Sequence, residues 1–371
     1  MNHPIRVLIV DDSALVRRLL TRILQSDPAI EVVGTATDPY AARQKIKKLK
    51  PDVLTLDVAM PKMDGITFLS NLMRLHPMPV VMLSTLTTKG ADIALQALEL
   101  GAIDFVSKPS TDLNHQLAQY SEEIISKIKA AATARVRTYT DMPATAWRQD
   151  QESGDPAIHT QQSDGTASAD AGMIIAIGAS TGGTEAIKQL LARLPVSSPG
   201  VVITQHIPAA FSARFAETAN QVSAMNVCQA QDGQQILCGH AYIAPGDKHL
   251  EVIHKQTCYY CKLSNDAPVN RHKPSVDVMF QSVSQCAGPN AIGVLLTGMG
   301  KDGARGLKTM QLAGALTIAQ DEASSLIWGM PGAAVALKAA DMVLPLTGIP
   351  NVLINHQLPH SGLKADIDNN S

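Results

Sequence analysis

Apolar strands that alternate with helical repeats, first over one stretch of the chain and then over a second, constrain its fold more than any other feature. Residues 5–10, 30–34, 53–56, 80–83 and 105–106 read as strands. Between the first two, Leu15/Val16, Leu19/Leu20 and Ile23/Leu24 recur at the helical period, and Asp27-Pro28 ends the run. Asp38-Pro39 opens the next helix as a cap followed by a first-turn proline. Strands apolar on both faces belong to a parallel sheet covered by helices on either side. From about 131 to 171 the periodicity disappears into Gln, Ser, Asp, Gly, Thr and Ala, the composition of a flexible linker. Strand runs return at 173–177, 201–204, 292–296 and 316–319, with helical runs at 184–194, 209–222, 304–312 and 332–340. Residues 226–263, rich in Gly, His and Tyr, read as a β-rich insertion. The expectation is an α/β chain of two domains. Residues 1–128 form a doubly wound (βα)5 unit, 129–171 a linker, 172–355 a second doubly wound, mostly parallel sheet, and 356–371 a polar tail.

Composition narrows the function classes. The chain of 371 residues has 31 basic and 33 acidic side chains, a net charge of −2, which argues against binding nucleic acid through bulk charge. Residues 172–371 carry thirteen basic and thirteen acidic side chains and no helix-turn-helix pattern, so a DNA-binding effector is not expected there. No apolar run approaches the ~18 residues of a membrane helix. The short apolar stretch at 7–10 runs into Asp11-Asp12 and is no signal peptide, so a cytoplasmic protein is expected. Five cysteines are too few and too scattered for a disulfide scaffold. Cys258 and Cys261 form one CxxC with His254 upstream, short of the four ligands of a structural zinc site, and read as small side chains on a hairpin.

In open α/β sheets, ligands bind at the carboxyl ends of the strands. In the first domain those ends carry Asp11 and Asp12, Asp57, Ser84 and Lys108. Converging carboxylates repel one another unless a hard cation such as Mg²⁺ joins them. A lysine and a hydroxyl opposite them suit a phosphoryl group, which a carboxylate nucleophile can accept. With the Met-Pro-Lys-Met-Asp-Gly turn at 60–65 and Lys108-Pro109, this half resembles a response-regulator receiver domain. The resemblance implies Asp57 as phosphoacceptor and Mg²⁺ held by Asp11, Asp12, Asp57 and a carbonyl near Ala59. It further implies that Ser84 closes on the phosphoryl group and that Phe105 is the switch aromatic.

In the second domain, Gly178-Ala-Ser180-Thr-Gly182 fits the GxSxG nucleophile elbow, with Gly183 opening a helix. That helix start offers N–H groups to a developing oxyanion. Ser180 needs a base and an orienting acid. His206, in Gln205-His206-Ile207-Pro208, and Asp302, in Thr-Gly-Met-Gly-Lys-Asp-Gly, each follow a different strand of the same sheet. The order Ser, His, Asp differs from that of α/β-hydrolases. Taken alone, His206 reads as a surface histidine and Asp302 as a helix N-cap.

A second reading uses the same loop. Gly298-Met-Gly300-Lys-Asp-Gly303 is a formal GxGxxG between strand and helix, and Asp321-Glu322 lies eighteen residues beyond it, as in a dinucleotide-binding oxidoreductase. Against it, an aspartate inside the loop repels a pyrophosphate, and the fingerprint belongs to the first βα unit of such folds.

With Arg-His-Lys-Pro-Ser-Val-Asp at 271–277 and Thr-Gly-Met-Gly-Lys-Asp-Gly-Ala at 297–304, both halves together resemble the chemotaxis response-regulator protein-glutamate methylesterases. That resemblance implies a triad of Ser180, His206 and Asp302, backbone near Met299 in the oxyanion hole, and Thr181 as active-site neighbour. It implies hydrolysis of glutamate γ-methyl esters and deamidation of glutamines on chemoreceptors, with no metal at the esterase site. A sensor histidine kinase is the implied phosphodonor, and the receiver is expected to gate the active site.

Overall fold

In the computed structural model the described residues are 3–84, 88–108, 113–136 and 172–356. They fall into two compact units, residues 1–171 and 172–371. Pro109, residues 137–171 of the expected linker and residues 357–371 of the expected tail lie outside the described residues.

In the first unit, β1 (Ile5–Val10), β2 (Ile30–Ala36), β3 (Val53–Asp57), β4 (Val80–Ser84) and β5 (Asp104–Ser107) form a parallel sheet in the order β2-β1-β3-β4-β5. The order reverses between β1 and β3, which opens a crevice at their carboxyl ends. The helices are α1 (Ala14–Leu24), α2 (Pro39–Leu49), α3 (Gly65–Leu75), α4 (Thr88–Glu99) and α5 (Leu113–Thr133). Asp38 caps α2 as expected, its Oδ1 accepting from the N–H of Tyr40 and Ala41, with Pro39 in the first turn. α5 continues to Thr133, so residues 129–133 of the expected linker are helical. Ile128, Ala130 and Ala131 are buried, and that apolar face carries the helix onward.

In the second unit, β6 (Ile174–Ala179), β7 (Gly200–Gln205), β8 (Asn226–Gln229), β9 (His240–Ile243), β12 (Ala291–Leu295), β13 (Leu316–Gln320) and β14 (Met342–Leu344) form one sheet. Its order is β14-β13-β12-β6-β7-β9-β8, and every pairing is parallel. The β-rich insertion expected at 226–263 is therefore only partly an insertion. β8 and β9 extend the main sheet, and only the antiparallel hairpin of β10 (His249–Lys255) and β11 (Cys258–Ser264) stands apart. The strands β8 and β9 are four residues each, too short to show the pattern of a buried strand in sequence. Cys258 and Cys261, three apart on β11, project to opposite faces and cannot share a metal. Burial pushes the Cys261 thiol up to about 12, which keeps it protonated.

Helices α6 (Gly183–Leu191), α7 (Ala209–Val222), α8 (Val276–Cys286), α9 (Ala304–Leu312), α10 (Met330–Ala336) and α11 (Ile349–Asn355) complete the unit. The chain winds from β6 outward through β7 and returns through β12 on the other side of β6, so the switch point falls between β6 and β12. α8 carries Val276, Met279, Phe280 and Val283 on one buried face at helical spacing. Gly306 of α9 packs so closely on α8 that an added Cβ would come within 2.7 Å of Phe280 Cβ. That close packing brings the first turns of α8 and α9 together beside the switch point. Among the described residues, no helix is long and apolar enough to cross a membrane.

Candidate functional sites

At the crevice of the first unit the expected residues converge. Asp57 ends β3, Ser84 ends β4, Asp11 and Asp12 follow β1, and Lys108 follows β5. Asp11 and Asp57 are buried and Asp12 is exposed. One carboxylate oxygen of each lies within 4.8 Å of the other two. Lys108 Nζ stands 2.8 Å from both Asp11 Oδ2 and Asp57 Oδ1. Burial alone would drain charge from Lys108, but these two carboxylates hold its ammonium above the ordinary lysine range. The Ala59 N–H points at Asp57 Oδ1 from 3.4 Å. Ser84 is buried, its Oγ donating to the Gly90 carbonyl. Phe105 lies inward at 3% exposure, and Lys127 of α5 grips it. Lys127 Nζ donates to the Phe105 carbonyl at 2.6 Å, sits 5.2 Å from the ring centroid and pairs with Asp104 and Glu123. Sequence reading missed Lys127, because a lysine on a long helix carries no signal of what its tip reaches.

In the second unit, sheet register sets the site. Ala179 on β6 pairs with Gln205 on β7, so Ser180 and His206 leave adjacent strands side by side. The His206 N–H still bonds to the Ala179 carbonyl at 3.2 Å. On the other side, the Ser180 N–H donates to the Thr297 carbonyl at 3.0 Å, tying the Ser180 turn to the loop after β12. Gly182, at φ 78°, is the N-cap that lets the chain turn from strand into α6. Gln205 is buried and pins the turn, its Nε2 donating to the Ser180 carbonyl at 2.9 Å. Thr181 is buried, and the Thr297 hydroxyl donates to its carbonyl at 3.0 Å. Met299 is half-buried in the same loop, between Gly298 and Gly300.

His206 and Asp302 are in direct contact. Nε2 of the ring lies 2.9 Å from Asp302 Oδ2, while the buried Nδ1 has no hydrogen-bond partner among the described residues. Asp302 holding the Nε2 hydrogen leaves the lone pair on Nδ1, so one contact sets the tautomer. No hydrogen bond joins the Ser180 hydroxyl to either residue among the described residues. The structure therefore brings all three to one sheet edge and makes the His–Asp link.

Asp302 is not the N-cap of α9; Gly303 is. Its carboxylate caps the neighbouring helix instead. Oδ2 accepts the Val276 N–H at 2.7 Å at the start of α8, and Oδ1 accepts the Ser275 hydroxyl at 2.8 Å. Asp277 of α8 returns the favour, its Oδ1 accepting the Gly306 N–H of α9 at 2.7 Å. Burial of Asp302 favours the neutral acid, but the bonds from His206, Asn270 and Val276 overcome it and hold the carboxyl well below the usual range. Asp302 thus stays ionised beside the imidazole.

The same arrangement corrects the dinucleotide reading of 298–303. The α9 N-terminus, where a pyrophosphate would sit, is filled by the Asp277 carboxylate. Gly298 is there for packing: a Cβ on it would come within 2.8 Å of Ser180 Cβ and 3.0 Å of Ser180 N, and would strike Met330 Sδ. We expect Gly298→Ala to push on the Ser180 turn, costing about 1–3 kcal/mol of stability and slowing any reaction at Ser180. Thermal denaturation beside a rate measurement checks this.

Asn270, His272 and Ser275 reach the site from the loop before α8. The sequence motif at 271–277 takes in His272 and Ser275 without assigning them roles, and it leaves out Asn270, since the only local signal is a cluster of polar residues.

Comparison with known proteins agrees with both halves. Residues 175–353 match the CheB methylesterase family, and residues 7–118 match the response regulator receiver domain. A protein-glutamate methylesterase/protein-glutamine glutaminase of Hydrogenovibrio crunogenus is 56% identical over 368 residues, 94% of this chain and 98% of its own. Its counterpart 1 in Xanthomonas campestris pv. campestris is 55% identical over 357 residues, 95% of this chain and 98% of its own. The crystal structure of the Thermotoga maritima CheB methylesterase catalytic domain is 34% identical, covering 50% of this chain and 99% of its own at a TM-score of 0.49. Both curated relatives carry methylesterase and glutaminase names, and neither supports the oxidoreductase reading of 298–303.

Proposed function

The chain belongs to the CheB methylesterase family with a receiver domain ahead of the esterase, and from that premise we propose that it hydrolyses glutamate γ-methyl esters on chemoreceptors and deamidates receptor glutamines. Ser180 attacks the ester carbonyl and His206 takes its proton on the nitrogen that Asp302 leaves open. The tetrahedral oxyanion is met by backbone N–H groups beside Met299 and the start of α6, with Thr181 lining the turn. Collapse expels methanol, which receives the proton from His206. Water, deprotonated by His206, then attacks the acyl-enzyme, releasing the glutamate carboxylate and restoring the Ser180 hydroxyl. With a glutamine side chain the same steps release ammonia. The 2.9 Å contact between His206 and a buried, ionised Asp302 at the Ser180 strand edge is the observation that carries this reading.

Asp57 is the proposed phosphoacceptor, with a sensor histidine kinase as donor. Asp11, Asp12 and Asp57 offer a compact set of carboxylate oxygens that fits a Mg²⁺ ion, a hard cation that takes oxygen ligands. When bound, Mg²⁺ neutralises charge on the incoming phosphoryl oxygens. Lys108 supplies the positive charge from β5, and Ser84 and Phe105 respond to the phosphoryl group, which relieves inhibition of the esterase. Phosphoaspartate formation from a small acyl phosphate in Mg²⁺ should vanish in Asp57→Asn and on chelation of the metal. Lys108→Ala should incorporate phosphate far more weakly or hold it without activating. Radiolabel uptake, measured beside methanol release, checks both. Activation of Asp57→Asn by the phosphodonor would sink the gating role.

A further inference from the structure

We infer that the turn Asn270–Arg271–His272 is the positioning element of the His206–Asp302 pair, Asn270 holding the carboxylate and His272 the imidazole plane. This deepens the triad reading and rests on it. Asn270 and Arg271 both lie in the left-handed region, at φ 52° and 68°, a conformation that side-chain-bearing residues keep only where the surroundings hold it. Reciprocal backbone bonds between Val269 and His272, at 2.9 and 3.1 Å, close the turn. The turn aims two side chains at the dyad. Asn270 Nδ2 donates at 2.7 Å to Asp302 Oδ1 and at 2.7 Å to Asp277 Oδ2, so one amide joins the two carboxylates that cap each other's helices. The His272 ring lies flat on the His206 ring, centroids 3.8 Å apart and planes within 7°.

These two contacts remove different freedoms. A single N–H···O bond from His206 to Asp302 leaves the ring free to turn about the bond axis. A ring stacked on its face removes that rotation and aims Nδ1. The bond itself is only as fixed as the carboxylate, and Asn270 is the side chain that holds Asp302 Oδ1 from the solvent side while Ser275 holds it from within. Neither side chain needs to touch the ester.

The test uses the full chain carrying Asn270→Gly, His272→Ala or His272→Phe. Glycine keeps the left-handed backbone and loses the amide, while phenylalanine keeps a stacking face and loses the ring nitrogens. Two readouts are taken without receptor: the rate at which a fluorophosphonate labels Ser180, and the ¹⁵N-filtered proton signal of His206 Nε2–H. We expect Asn270→Gly and His272→Ala to slow labelling about 10- to 100-fold, and His272→Phe to restore most of that loss. The His206 Nε2–H signal should be lost to solvent exchange in the first two and retained in the third. The ring signals of His240 and His249 should stay unchanged, reporting an intact fold. On methylated receptor, the loss should fall on kcat and leave KM unchanged. Wild-type labelling rates and an unchanged His206 signal in Asn270→Gly and His272→Ala would overturn the inference. Failure of the triad reading looks different: wild type and Ser180→Ala would then label alike. In that case the His206 signal, which needs no reaction, still decides whether the turn holds the dyad.

Discussion

Ser180→Ala is expected to abolish methanol release from methylated receptor membranes, a loss on the order of 10⁴-fold or more, while leaving the fold intact. The size of the effect follows from covalent catalysis: without the hydroxyl no acyl-enzyme forms, and only electrostatic and binding contributions remain. The intact fold follows from the hydrogen bonds. Those that shape the turn use the backbone of Ser180: its N–H to the Thr297 carbonyl, and its carbonyl from Gly183 N–H and Gln205 Nε2. Alanine keeps all three. Stability should therefore stay within about 0.5 kcal/mol of wild type by thermal denaturation. Ammonia release from receptor glutamine should be lost in parallel, because both reactions pass through the same acyl-enzyme. An Ser180→Ala protein that still released methanol would remove the serine from the mechanism.

Replacing Asp302 should injure activity and stability together. At 1% exposure its carboxylate accepts from His206, Asn270, Ser275 and the N-terminal N–H groups of α8. Asp302→Ala strands these donors in a buried site and should cost about 3–5 kcal/mol, as breaking a buried polar network does. Asp302→Asn keeps the volume and part of the bonding, so its stability loss should be smaller. Its activity should nonetheless fall about 10⁴-fold, because an amide can present its NH₂ to His206 and select the wrong tautomer. The pH dependence separates charge from shape. The folded-state carboxyl is held below its unfolded value of about 3.9, so its stabilising contribution is fully present above that pH. As pH falls through the folded value, the contribution is lost. The stability gap between wild type and Asp302→Asn should thus be widest above about pH 4 and close in acid. Denaturant titrations at several pH values measure it, and a gap that did not close would mean the carboxylate charge contributes nothing.

Much of the fold was legible because the signal was local. β1 and the helices α7 and α9 begin and end where the apolar periodicity does, and Asp38-Pro39 marked the start of α2. Strand ends also marked both candidate sites, since a parallel sheet presents its carboxyl ends at one edge. What escaped was set by contacts distant in sequence. The short strands β8 and β9 read as part of an insertion because four residues carry too little pattern to show that they join a central sheet. Asp302 was legible as an acid after a strand, but its second role was not: taken alone it reads as a cap for its own helix, whereas it caps α8, twenty-six residues earlier in the chain.

From the sequence alone came the candidate chemistry: a serine on a tight turn, a histidine and an aspartate after other strands, and an acidic cluster with a lysine suited to phosphate. These depend on residue type and on strand periodicity, which the chain writes in order. Only the tertiary structure decided how the acid is held. Asn270 and His272 reach the dyad because α8 and α9 exchange caps and fix the loop before α8 against the sheet edge. A hydrogen bond or a ring stack between residues 32 or 66 apart leaves no period in the sequence, because it is fixed by packing rather than by local backbone preference.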